Sequence, residues 1–235
     1  MAESKAAAAK SGLEGVTAAD SSIGKIDGVK GELRYRGYLI TDLAKQSNYV
    51  ETVYLLFHGE LPSTAQHEEL RKMLIAERQV SSEVMEILQR IASKMAPMDA
   101  LRTAVSALCL DDRGGDVTDR ESNLRRGIRL VARFPTLVAA YDRMRDGKEP
   151  LPPRDDLDHA ANFLYMLTGE EPKDDVARMF DVCLILHAEH GFNASTFAGR
   201  VTAATLSDVY SAITSAIGAL KGPLHGGANT AVINT

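Results

Sequence analysis

Cysteine is scarce in this chain: Cys109 and Cys183 are the only two in 235 residues. Each sits in an apolar helical pattern, so no disulfide framework is legible, a reducing compartment is the simpler reading, and both read as core thiols. Excess positive charge is lacking as well. With 27 Lys+Arg against 32 Asp+Glu the net charge is −5, which argues against nucleic acid and anionic membrane as main partners. Long apolar runs are missing: no stretch approaches the ~18 uninterrupted apolar residues of a membrane span. The N-terminus offers a four-alanine run between Lys5 and Lys10, too short for the apolar region of a signal peptide. The expectation is a cytoplasmic protein with neither a membrane nor a nucleic-acid partner. No repeat recurs at a fixed period, so a solenoid is not supported. What is present is 45% hydrophobic and 25% charged residues, enough for one large domain or one domain plus a fragment of another.

Residues 1–12 form a low-complexity Ala/Lys/Ser tip, expected to be flexible and without function. Between Ser21 and Tyr38, Ile23, Ile26, Val29 and Leu33 are interrupted by Asp27-Gly28 and Gly31, which predicts short extended pieces around a turn. Beyond Thr41-Asp42 nearly everything follows a 3.6-residue period, so the fold class is all-α with a short N-terminal β segment. Gly59 to Pro62 followed by Ser63/Thr64 predicts a helix over about 64–76. Pro97 with Asp99 as cap opens a helix from Ala100 to Leu110, which the run Asp111 to Asp116 closes. Glu121 to Arg145 reads as one long helix, kinked or broken at Pro135. Gly147 to Arg154, with three prolines, is a stiff exposed connection.

The last fifth of the chain carries the chemistry. From Asp174-Asp175, Val176, Met179, Phe180, Cys183 and His187 share one helix face, and His190 lies one turn beyond His187, so both imidazoles are expected on one side. Gly191 is read as ending that helix and Ser195 as capping the next, Thr196 to Leu206. Three readings of His187-Ala188-Glu189-His190 compete. One is a core histidine satisfied by a backbone carbonyl. A second is a zinc site, for which His-x-x-His lacks a third ligand. The third is an anion pocket in which a His at a helix end joins Asn193, Ser195 and free backbone N–H groups to receive a carboxylate. Val209 to Lys221 is a helix with almost no polar face, and its Ala212, Ser215, Ala216 and Ala219 suit close approach by another backbone. It is therefore central in the domain or at a subunit interface. Directly after it, Gly222-Pro223-Leu224-His225-Gly226-Gly227 leaves no side chain on the two residues following an imidazole. A substrate can approach backbone there, and a His at the start of a following helix would stay neutral and act as an N–H donor. The bland alternative is a glycine-rich joint with a bystander His.

Taken together, these segments resemble the citrate synthase family, in the shorter bacterial and archaeal type shared with 2-methylcitrate synthase. The likeness is carried by Gly12-Leu13-Glu14-Gly15-Val16, Ser22-Ile23 with Ile26-Asp27-Gly28, Leu33 to Tyr38, Pro97 to Arg102, Ala160 to Leu167, His187 to Thr196, and Gly222 to Asn229. It implies an all-α homodimer with a large helical domain, here 13–225, and a smaller domain that closes over substrates, of which 226–235 would be the start. It implies condensation of acetyl-CoA with oxaloacetate, then thioester hydrolysis to citrate and CoA, the entry step of the tricarboxylic acid cycle. By the same resemblance His225 hydrogen-bonds the thioester carbonyl, His190 binds oxaloacetate and polarises its carbonyl, Asn193 and Ser195 lie beside that ligand, and His187 supports them. No metal or bound cofactor is implied, and acetyl-CoA enters as a substrate.

The sequence reaches Thr235 shortly after the His225 loop. The stretches that in the family carry a second catalytic His, the general-base Asp, most carboxylate-binding arginines and the CoA loops have no counterpart in it. The expectation is a large-domain portion, inactive on its own, of an enzyme. The alternatives are 2-methylcitrate synthase, using propionyl-CoA, and a non-catalytic fragment that dimerises or binds a dicarboxylate.

Overall fold

An antiparallel hairpin comes first among the described residues. Asp27 accepts the N–H groups of Val29 and Lys30 through its Oδ1, both at 3.1 Å, and Gly31 supplies the left-handed residue of the turn, with φ +67°. Strand β1 (Gly24–Asp27) thereby pairs with β2 (Glu32–Tyr35), Ile26 opposite Leu33. Arg36 and Gly37, both at positive φ, then return the chain to β3 (Tyr38–Leu39) in the two-residue turn that matches strand twist. The computed structural model describes residues 20–112, 114 and 116–226. The tip 1–12, the Gly12 to Val16 motif and all of 226–235 except Gly226 lie outside the described residues.

Ten helices follow among the described residues. The first three are α1 (Ile40–Gln46), α2 (Tyr49–His58) and α3 (Thr64–Ala76). Capping boxes open α2, with Asn48 and Glu51, and α3, with Ser63 and Gln66. Next come α4 (Ser82–Ala92) and α5 (Pro97–Ala107), the latter followed by a single 3₁₀ turn, Leu108–Asp111. Pro97 is already helical, as suits a residue whose missing N–H would have no partner, so Ala96 is the cap. Asp99, expected there, instead receives Lys221 at 2.6 Å and Arg102 at 3.0 Å. The 26-residue α6 (Arg120–Arg145) runs unbroken through Pro135, about 39 Å at 1.5 Å per residue. Buried Ala132, Leu137 and Ala139 flank the proline, and Thr136 Oγ1 donates to Arg78 O at 3.0 Å, so packing outweighs the one forfeited backbone bond. The last four are α7 (His159–Thr168), α8 (Asp174–His187), α9 (Ala194–Ala204) and α10 (Val209–Lys221).

Helix α6 serves two apolar clusters. Val84, Leu88, Val105 and Leu137 join Tyr210 and Ile217 of α10 on one side, while Val53, Leu70, Leu74 and Ile128 meet on the other. A third cluster, Tyr35, Leu43, Leu55 and Ile185, fastens the hairpin to α8. The acidic run after α5 does more than end a helix. Asp111 pairs with Arg133 at 2.7 Å and Asp112 with Arg126 at 2.7 Å, and Glu77 meets Arg129 at 2.8 Å, so three α6 arginines are neutralised in place.

Both cysteines are exposed, against the expectation of core thiols. The reason at Cys183 is the way α8 docks. Arg178 donates to the carbonyls of Ser47 and Ala44, Asp181 accepts the Tyr49 N–H, and Ile185 alone is fully buried. The face bearing Val176, Met179 and Cys183 is consequently turned away from the other described residues. No helix among the described residues is long and apolar enough to cross a membrane.

Candidate active site

Helix α8 stops at His187, not at Gly191. Its last turn is closed from a distance: the Tyr35 hydroxyl lies 3.1 Å from the Ile185 carbonyl and 3.2 Å from that of Leu186, groups that a helix C-terminus leaves without partners. Burial, reinforced by the Glu189 charge and partly offset by a hydrogen bond from the Glu189 backbone, holds the Tyr35 phenol above its ordinary pKa, so it keeps its proton. His190 therefore sits in a loop, and the expectation that it shares a helix face with His187 is withdrawn. Gly191, at φ +66°, turns that loop toward α9.

His187 Nδ1 is 2.7 Å from the Cys183 carbonyl oxygen. That bond meets the carbonyl half of the bland reading, but the ring is exposed and not a core histidine; because a carbonyl only accepts, the proton in the bond is on Nδ1. His190 is exposed and has no hydrogen bond among the described residues. No group of three or more metal-ligating side chains occurs among them either.

Asn193, not Ser195, caps α9: its Oδ1 accepts the Thr196 N–H at 2.9 Å. The exchange has a chemical consequence, because it releases the Ser195 hydroxyl. Ser195 Oγ lies 2.8 Å from His225 Nε2, across 30 residues of sequence. The packing of α9 on α10 makes this meeting possible. A Cβ on Gly199 would lie 3.3 Å from the Ala212 carbonyl oxygen, and Thr202 Oγ1 donates to Ser215 Oγ at 2.9 Å. The small residues of α10 thus receive a neighbouring backbone, which is α9. Lys221 ties the end of α10 to Asp99 at the start of α5, and the chain turns through His225 N–H and Gly226 N–H to the Gly222 carbonyl at 2.9 and 3.0 Å.

Gly226 has a structural duty that the reading of it as open backbone overlooked. A Cβ there would stand 2.1 Å from the Leu220 carbonyl oxygen, so the loop folds back onto α10 too tightly for any side chain. Gly227 and the helix expected after it lie outside the described residues. Of the five candidates, then, Ser195 and His225 are in contact, Asn193 is two residues from Ser195, and His187 and His190 lie on the preceding helix end and loop. An apolar cleft of about 600 Å³ between α2, α6, α7, α8 and α10, lined by Phe57, Phe134, Phe163 and Ile213 among others, contains none of the five. Sequence reading missed Tyr35 and Glu189. Their partners are backbone groups of the α8–α9 loop, for which no side-chain pattern gives a signal.

The family described as citrate synthase, C-terminal domain, matches residues 12–235. The chain belongs to the citrate synthase family. The citrate synthase of Haloferax volcanii is 50% identical over 228 residues, covering 95% of this chain and 60% of that protein. The 2-methylcitrate synthase of Mycobacterium tuberculosis is 43% identical over 225 residues, covering 96% and 57%. The crystal structure of citrate synthase from Pyrobaculum aerophilum superposes with a TM-score of 0.89 at 43% identity, covering 94% of this chain and 57% of that one. The chain thus spans about 60% of the length of the relatives it matches. The all-α reading with its short β segment agrees with this architecture.

Proposed function

We propose that the protein is a citrate synthase, joining acetyl-CoA, oxaloacetate and water into citrate and free CoA. The observation that carries this reading is the 2.8 Å pair between Ser195 Oγ and His225 Nε2, in a chain of this family. When the serine O–H donates to Nε2, the neutral imidazole carries its proton on Nδ1. That N–H is then the donor for the thioester carbonyl oxygen as a methyl proton leaves, and a neutral donor suits an enol-like state whose charge develops on that oxygen. The new carbon–carbon bond forms at the ketone carbon of oxaloacetate, whose oxygen takes up a proton and becomes the hydroxyl of citrate. Water then cleaves the C–S bond. His190, with Asn193 and Ser195 beside it and His187 in support, binds oxaloacetate and polarises its ketone. Removal of the methyl proton requires a placed base; His225, as donor, is not that base.

In this proposal residues 13–225 are the large helical domain and the segment from 226 opens the smaller one. The protein works in the cytoplasm as a homodimer. Support for a second copy comes from α9, which buries none of its residues in the single chain and leaves Phe197 and Val201 exposed. The Mycobacterium tuberculosis relative favours a second reading, 2-methylcitrate synthase, in which propionyl-CoA replaces acetyl-CoA. One methylene is worth only about 1–3 kcal/mol, or roughly 10- to 200-fold. The test is oxaloacetate-dependent release of CoA thiol by the protein at the length its source makes, comparing kcat/KM for the two thioesters. A preference for acetyl-CoA is expected, a preference for propionyl-CoA establishes the second reading, and no release with either overturns both.

A further inference from the structure

We infer that Tyr35, with Glu189 and Gly24, is the positioning device that presents His190 to the dicarboxylate. The inference rests on the proposed role of His190 and adds residues from the opposite end of the chain to it. The Tyr35 oxygen lies 3.1 Å from the Ile185 carbonyl, 3.2 Å from that of Leu186, 3.1 Å from that of Glu189 and 3.3 Å from the Glu189 N–H. Its one proton serves the carbonyls while the oxygen accepts the N–H. Tyr35 is itself at 0% exposure, so its hydroxyl is spent on these backbone groups and not on solvent.

The second hold comes from a side chain of the loop itself. Glu189 Oε1 accepts the Gly191 N–H at 2.6 Å, while Oε2 is buried without a partner. The carboxylate lies flat over β1, since a Cβ on Gly24 would be 2.0 Å from Oε2. Ile26, two residues along the same strand, has its Cδ1 3.6 Å from where a Cβ on Gly191 would stand. The residues on both sides of His190 are therefore fixed by the hairpin, and the imidazole between them is left exposed. Burial of one more phenol in a core requires none of this. What distinguishes these contacts is that they converge on backbone immediately flanking one presented ring, at a site where small displacements are costly.

The experiment uses the protein at its natural length and five variants, Y35F, G24A, E189Q, E189A and Y141F. Tyr141 is the control: its hydroxyl is also a buried-side donor, to Met95 O at 2.8 Å, but it touches no part of the α8–α9 loop. Oxaloacetate affinity is read by titration calorimetry, which needs no turnover, and loop order by amide exchange of a peptide spanning 186–192. Y35F is expected to weaken oxaloacetate about tenfold and to speed that exchange about tenfold, with Y141F within twofold of wild type in both. G24A is expected to follow Y35F, and E189Q, which keeps an acceptor for Gly191 N–H, to stay closer to wild type than E189A. In the wild type, oxaloacetate binding without thiol release contradicts the citrate synthase reading while the affinity comparison still decides the positioning role. Y35F indistinguishable from Y141F in affinity and exchange overturns the inference, as does a wild-type protein that binds no oxaloacetate.

Discussion

Acidification from pH 7 to 4.5 is expected to destabilise the protein through one residue, His159. This side chain opens α7, is 6% exposed, and packs at a 36° tilt against Tyr49 with ring centroids 5.1 Å apart. Burial, and then the nearby Arg78 guanidinium, push its pKa down to about 4. In the unfolded chain the imidazole titrates near 6.5. Between those values the unfolded state holds the extra proton and the folded state does not, so stability rises with pH across the window and is lost as pH falls from about 6.5 toward about 4. The full difference of roughly 2.5 pH units, at about 1.4 kcal/mol each, is about 3 kcal/mol. Asp99, Asp116, Asp119, Asp156 and Asp208 have lowered pKa values, so their contributions are lost only below the unfolded aspartate range and outside this window. Asp181, raised by burial, works in the opposite sense at the acid edge and offsets part of the loss. The assay is urea unfolding followed by circular dichroism at pH 7.0, 6.0, 5.0 and 4.5, for the wild type and for His159→Phe, which keeps an aromatic ring against Tyr49. The stability difference between the two proteins should shrink or reverse by about 2 kcal/mol between pH 7.0 and 4.5, the rest of the full difference lying below pH 4.5. Parallel pH slopes for the two would refute the reasoning.

Further outcomes follow from the site and its supports. Ser195→Ala removes one neutral hydrogen bond to His225, worth about 1 kcal/mol, so kcat at saturating oxaloacetate should fall about fivefold in the thiol-release assay; an unchanged kcat counts against the pair. Gly226→Ala places a methyl 2.1 Å from the Leu220 carbonyl oxygen and forces the His225 loop to move, so kcat should drop about 100-fold while the helical circular dichroism signal stays intact. Asp111→Ala strips the 2.7 Å partner from Arg133, whose side chain is 11% exposed and keeps Glu77 at 3.6 Å, and urea unfolding should show a loss of about 2 kcal/mol.

Some helices were legible from local signals at their ends, while Gly191, Asp99 and Ser195 were signals that did not mark them. Ser63 with Gln66, and the Gly222-Pro223 stop after Lys221, place α3 and α10 where periodicity and capping put them. Pro135 does not break α6, because its local cost is one backbone bond, whereas the burial of Ala132, Leu137 and Ala139 around it is a tertiary matter. The same division runs through the site. Ser195 and His225 could both be singled out, one as a cap and one beside paired glycines, but their contact depends on α9 lying on α10. Ser195 is available for that contact because Asn193 has the better position for the cap. The early end of α8 was illegible for a simpler reason, since the hydroxyl that closes it comes from 150 residues upstream. The outward face of α8 was misread because its anchors are the polar Arg178 and Asp181, which a search for apolar stripes passes over.

The central claim is that His225, held by Ser195, activates a thioester toward oxaloacetate, and the measurement closest to it is thiol release by the full-length wild type and His225→Ala. Release should need oxaloacetate together with acetyl-CoA or propionyl-CoA, and kcat should fall at least about 100-fold in the variant, with oxaloacetate affinity retained because His190 is untouched. Release that persists undiminished in His225→Ala would contradict that claim.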